Sequence, residues 1–177
     1  MIPQKEFYYL RHGQTDHNLN QARTDHHALI PLNETGRIQA ASIEPLIASL
    51  PIRSICYSPM ARAVETKEII ASRLLAPQFA VPELSECNAA VWQEMSLVPR
   101  QSLIGCSQPV QDFLRQVLKG FQTALAHEGP VLIVAHGGVH WALSSVLDIP
   151  GYDWKTDNCS PVHFKFELGK WTANKLK

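Results

Sequence analysis

Arginine and histidine stand side by side at Arg11-His12, directly after the apolar run FYYL, and Gly13 follows them. Arginine presents a planar fork of donors that matches phosphate oxygens and stays charged at any working pH. An imidazole among such cations is held neutral by like charge, which keeps it nucleophilic. A glycine beside it lets backbone N–H groups come close to a ligand. A second histidine, His136, closes another apolar run, PVLIVA, and is followed by Gly137. Arg62 lies one turn into a helical pattern that begins near Ser58, and Glu86 follows FAVPEL. Two arginines, two histidines and one carboxylate suit phosphoryl transfer, which needs positioning, charge neutralisation and a proton donor for the leaving alkoxide. Glu86 is the carboxylate available for that donor role.

These residues act together only if the fold gathers them. Residues 6–10, 54–58, 79–84, 130–135 and 163–168 read as strands, with 170–173 pairing against the last. Proline at position 82 places the third at an edge. Helical patterns cover 34–50, where Pro45 is expected to kink or end the helix, and 110–125, where Val110, Phe113, Leu114, Val117, Leu118, Phe121 and Leu125 recur at helical spacing. Two more follow 58 and 138, the former with Ser58 as N-cap and Pro59 as first residue. Segments 17–31 and 85–108 read as loops. Strands alternating with helices predict an α/β domain with a mostly parallel sheet. Such sheets bind ligands outside the carboxyl ends of their strands. Arg11, His12, Ser58, Glu86 and His136 all fall at those ends, with Arg62 one turn beyond.

The chain has 177 residues, which suits one domain spanning 1–177; 45% are apolar, 18% are charged, and the formal net charge is zero. No basic cluster supports a nucleic-acid partner, and no run reaches the length of a membrane helix. Cys56, Cys87, Cys106 and Cys159 are scattered, as buried thiols of a reducing compartment are, and MIPQKEFYYL has no apolar leader region, so a cytoplasmic protein is expected. His136 and His140 are four apart, but HGGVH lacks the glutamate of a zinc helix, so no metal site is assigned. His140 reads as a satisfied histidine of cleft or core, and His26-His27 as a solvated loop.

RHGQTDHN resembles the R-H-G-x-T-x-x-N signature of the histidine phosphatase superfamily, the phosphoglycerate mutase-like family. PLNETG (31–36), SPMARAVET (58–66), LSECNAAVWQE (84–94) and VAHGG (134–138) resemble its further motifs in order and spacing. The resemblance implies a three-layer α/β/α sandwich and a phosphomonoester hydrolase that works through a phosphohistidine. It implies His12 as nucleophile and Glu86 as acid, then base. Arg11, Arg62 and His136 then hold the phosphoryl group, with Asn18, Ser58 and Gly137 assisting. It implies no cofactor and no metal; the partner is a small phosphorylated substrate. The alternatives are mutase-type phosphoryl transfer and an inactive phosphate-binding domain, with 87–108 as the lid region. The chain departs from the motifs at Ala90 and Glu94, where they have glycine, and at His17, where tryptophan is frequent.

Overall fold

The structure, a computed structural model, describes residues 1–20, 27–99, 103, 105–147 and 149–177. Six strands form one sheet: β1 (Phe7–Arg11), β2 (Ser54–Tyr57), β3 (Gln78–Ala80), β4 (Val131–Ala135), β5 (Val162–Glu167) and β6 (Lys170–Lys175). Their order across the sheet is β3-β2-β4-β1-β5-β6. β1 to β4 run parallel, and β5 and β6 are an antiparallel hairpin added beside β1. All four parallel strands therefore end on one rim.

The pleat sends successive side chains to opposite faces. Phe7, Tyr9, Cys56, Val131, Ile133 and Ala135 enter one core, with side chains from α4 (Ala89–Leu97), α5 (Gln108–Ala124) and α6 (Gly137–Leu143). Tyr8, Leu10, Ile55, Leu132 and Val134 enter the other, with side chains from α2 (Glu34–Ser49) and α3 (Ala61–Ile70). This is the three-layer α/β/α sandwich. Every residue of β4 is buried, as its unbroken apolar run requires of a strand covered on both faces. α5 presents the expected stripe to the core, and Phe121 packs edge-on against Phe7 with ring centroids 5.6 Å apart.

Several local expectations are corrected. α2 continues through Pro45. Pro45 and Ala41, the residue whose carbonyl loses its helical donor, are both exposed, so water can serve that oxygen. β3 is shorter than predicted, and a single 3-10 turn at Pro82–Leu84 follows it. The expected loop of 85–108 contains α4, whose start is capped by the Asn88 side chain accepting from Val91 N–H. Ala90 thus stands in a helix, where alanine is favoured over glycine. Glu94 reaches out of α4 and accepts from Ser107 N–H at 2.7 Å, joining it to the head of α5. In the expected loop of 17–31, α1 covers Asp16–Asn20 and a 3-10 turn covers His27–Leu29. Thr15 Oγ1 accepts from Asn18 N–H, and Asn18 Oδ1 accepts from Thr15 N–H, a reciprocal cap for α1. His26, the side chain of His27 and Arg100 lie outside the described residues. Cys106 is only partly buried, unlike the other three cysteines. Among the described residues no helix is long and apolar enough to cross a membrane.

Candidate active site

His12 leaves the end of β1 with its backbone still paired: its N–H donates to the Ala135 carbonyl of β4 at 3.0 Å. Its imidazole is almost fully buried. Nδ1 lies 2.7 Å from the Gly13 carbonyl, which can only accept, so the ring proton sits on Nδ1 and the lone pair on Nε2. That Nε2 accepts from Arg62 Nε–H at 3.1 Å. Gly13 is itself wedged. Its N–H donates to Thr66 Oγ1 at 3.0 Å, and Thr66 donates to the Arg62 carbonyl at 2.7 Å. A Cβ on Gly13 would fall 2.5 Å from the Gly36 carbonyl oxygen of α2. This close approach, rather than any unusual dihedral, is why the position takes glycine.

Two cations flank this imidazole. Arg62 is 3% exposed despite its charge and its place in the first turn of α3, where the helix dipole disfavours a cation. Burial pulls its guanidinium down to about 10, with the like charge of Arg11 adding to the fall and Glu86 opposing it. It remains a cation at neutral pH. Arg11, at the end of β1, donates from Nη1 to the Thr156 carbonyl at 2.9 Å. Its Nε is buried with no hydrogen-bond partner among the described residues. A buried unsatisfied donor is costly unless a ligand completes it. His136 caps α6 from the end of β4, its ring 5.1 Å from that of His12. Tyr9 OH donates to its carbonyl at 2.7 Å, and Ser58 Oγ lies 2.7 Å from its Nε2.

Glu86 comes from a third direction, past the turn that follows β3 rather than from the strand end itself. Its Oε2 accepts from Gly138 N–H at 2.9 Å, and its Oε1 from Cys87 N–H at 3.1 Å. Burial raises its pKa above the usual carboxylate range, against the opposing pull of the Gly138 hydrogen bond, Arg62, the Cys87 hydrogen bond and Arg11. A raised pKa favours the protonated form, which is the one that can donate. A Cβ on Gly138 would lie 2.2 Å from Glu86 Oε1, so the second glycine of VAHGG makes the space for the carboxyl. Gly138→Ala should therefore lower kcat/KM by about 10²-fold or more, the worth of a displaced general acid. Gly137→Ala, whose Cβ would meet Arg11 only at an ordinary 3.5 Å, should change it far less. Alanine favours a helix over glycine, so the folded fraction by circular dichroism should hold in both variants.

The structure thus brings Arg11, His12, Arg62, Glu86, His136 and Gly137 to one rim. Two further expected residues make contacts within the protein. Ser58 is fully buried, accepts from Met60 N–H at 3.3 Å and faces His136, so it braces that ring and does not cap α3; α3 starts later, after Met60. Asn18 braces the loop after His12: its Oδ1 takes Thr15 N–H and lies 3.4 Å from Asn158 Nδ2, which also donates to the His12 carbonyl at 2.8 Å. Thr66, Gly138, Tyr9 and Asn158 were missed by sequence reasoning. Thr66 stood within the SPMARAVET segment; nothing in the sequence pattern pointed to Asn158. His140 is a buried core histidine whose Nδ1 lies 3.0 Å from the Trp154 carbonyl.

A model of the histidine phosphatase superfamily (branch 1) matches residues 7–177. An agropine synthesis reductase of Rhizobium rhizogenes is 29% identical over 95% of this chain, which spans only 41% of that protein's length. A probable phosphoglycerate mutase of Proteus mirabilis is 27% identical over 96% of this chain and 88% of its own. An uncharacterized phosphatase of Bacillus subtilis is 32% identical over 81% and 77%. Among solved structures, YhfR of Bacillus stearothermophilus superposes with a TM-score of 0.72 at 23% identity, covering 96% of this chain and 95% of that one.

Proposed function

This chain belongs to the histidine phosphatase superfamily, and from that premise we propose that it hydrolyses small phosphomonoesters through a phosphohistidine at His12, with protein cations rather than a metal ion neutralising the phosphoryl charge. The observation that carries this reading is the His12 tautomer. The Gly13 carbonyl holds the proton on Nδ1, which leaves Nε2 as a nucleophile beside Arg62. An incoming phosphoryl group takes over the Arg62 Nε–H and offers oxygens to the unsatisfied Nε of Arg11. Nε2 attacks phosphorus as the ester oxygen leaves in line, and Glu86 gives its proton to that oxygen. The resulting carboxylate takes a proton from water, which attacks the phosphohistidine, frees inorganic phosphate and restores both groups.

Mutase-type transfer is the second reading, favoured by the Proteus mirabilis relative. A mutase has to shield its phosphoenzyme from water and grip a substrate carboxylate. The lid region 87–108 offers Arg100 as its single cation, which supports the hydrolase. The test is rapid quenching with a ³²P-labelled aryl phosphate in EDTA. The expected result is steady release of phosphate and a protein label that is stable to alkali, labile to acid and carried by His12. Activity lost in EDTA, or turnover with no such label, refutes the proposal. Isomerisation of a phosphoglycerate without phosphate release establishes the mutase instead.

A further inference from the structure

Each carboxyl oxygen of Glu86 has room for two hydrogen-bonding partners. Among the described residues Oε2 uses one, the Gly138 N–H. Oε1 uses two, because the Cys87 thiol also points at it, with Sγ 3.6 Å away, beside the Cys87 N–H. The thiol and the carboxyl share the space left by the missing side chain of Gly138, where a Cβ would lie 2.2 Å from Oε1 and 3.1 Å from Cys87 Sγ. Cys87 is 8% exposed and set in the larger apolar core. Resting on the general-acid reading of Glu86 above, we propose that Cys87 is a positioning residue for the acid: with its own N–H the thiol fills Oε1, so the transferable proton rides on Oε2.

The thiol is fit for this because it stays protonated. Burial pushes its pKa far up, and the neighbouring Glu86 charge pushes it further. It is therefore a donor at every working pH, not a nucleophile. Among the described residues, the charged and titratable groups facing the carboxyl are Arg11 and Tyr9 from β1, Arg62 from α3 and Cys87 itself. His12 and His136 complete the same site. Replacing Cys87 leaves all of these in place and removes one donor to the carboxylate form.

The sign follows. A donor to a carboxylate favours the charged form and holds its pKa down. Without the thiol, Glu86 keeps its proton to higher pH. The alkaline limb of kcat/KM on an alkyl phosphate should move up by about half a pH unit in Cys87→Ala, the size expected for a weak S–H donor. Cys87→Ser keeps a donor and should return the limb to its wild-type position. Cys87→Val fills the space without a donor and should repeat the alanine result, which serves if the alanine variant does not fold. Limbs that coincide in wild type and in both non-donor variants, while Glu86→Gln still abolishes the limb, overturn the positioning role alone. A fall in melting temperature with no shift of the limb does the same, since packing alone explains it. If the limb survives in Glu86→Gln, the general-acid reading falls, and this inference falls with it.

Discussion

His12→Ala should lower kcat on an aryl phosphate by about 10⁴-fold or more and abolish the alkali-stable label, while phosphate still binds. The size follows from removing a nucleophile that acts as one unit with its surroundings; in such sites the loss of one member costs nearly as much as the loss of all. Binding should survive because Arg11 and Arg62 remain, and with the imidazole gone Arg62 Nε–H is freed for a phosphate oxygen. His12→Asn probes the same step with a side chain nearer in shape; it should also carry no label. A variant that retains more than about a hundredth of wild-type kcat shows that phosphorus is attacked by something other than this imidazole. Steady-state kinetics, alkali-quench labelling and phosphate titration by calorimetry read the three parts of the prediction separately.

Glu86→Gln should divide substrates by leaving group. An alkyl alkoxide is a poor leaving group without a proton, so hydrolysis of alkyl phosphates should fall by about 10²- to 10⁴-fold. An aryl oxide leaves with little help, and its first step should fall far less. The glutamine oxygen can accept from only one of the Cys87 and Gly138 N–H groups while its NH2 faces the other, so a thermal melt beside the assay separates loss of loop geometry from loss of the acid. The pH profile gives the second reading. Burial raises the pKa of Glu86, and the acid form is the one that donates, so wild-type kcat/KM falls as pH rises through that raised value. The variant has no such group, and its alkaline limb should flatten. Equal losses on aryl and alkyl esters would remove Glu86 from the proton-transfer step.

The parts of the fold that were legible before the structure are those governed by one strong local force. β4 reads as a strand because every residue in VLIVA is apolar, and the structure buries all of them. α5 reads as a helix because one of its faces alone is apolar. Arg11, His12 and His136 could be assigned to a common rim because parallel strands must end together. What was not legible depends on contacts between distant segments. Ser58 has the side chain and the following proline of a helix cap, yet its hydroxyl goes to His136, 78 positions away. α4 lies where the sequence reads as loop; only Val91 and Met95 on it are buried, too few to make a period. Its real signals are polar, Asn88 at the start and Glu94 reaching to Ser107. Neighbouring glycines 137 and 138 look equivalent in the sequence; only the approach of Glu86 from another strand connection tells them apart.

The group that orients the His12 ring is the Gly13 carbonyl, and it belongs to the main chain. A carboxylate in that role gains a proton in acid and then loses its hold; an amide oxygen has no such titration in any range where the protein is folded. The orienting contact is thus not itself a titrating group, and acid sensitivity in the first step has to arise from other groups. The same feature has a genetic side. No codon specifies a carbonyl, so no single substitution deletes the orienting group. Selection can reach it only through the residues that wedge it, Thr66 at the Gly13 N–H and Gly36 at its α-carbon. Loss-of-function alleles that spare every reacting side chain should therefore collect at positions 13, 36 and 66, and a screen for them would map the support of the nucleophile without touching the nucleophile itself.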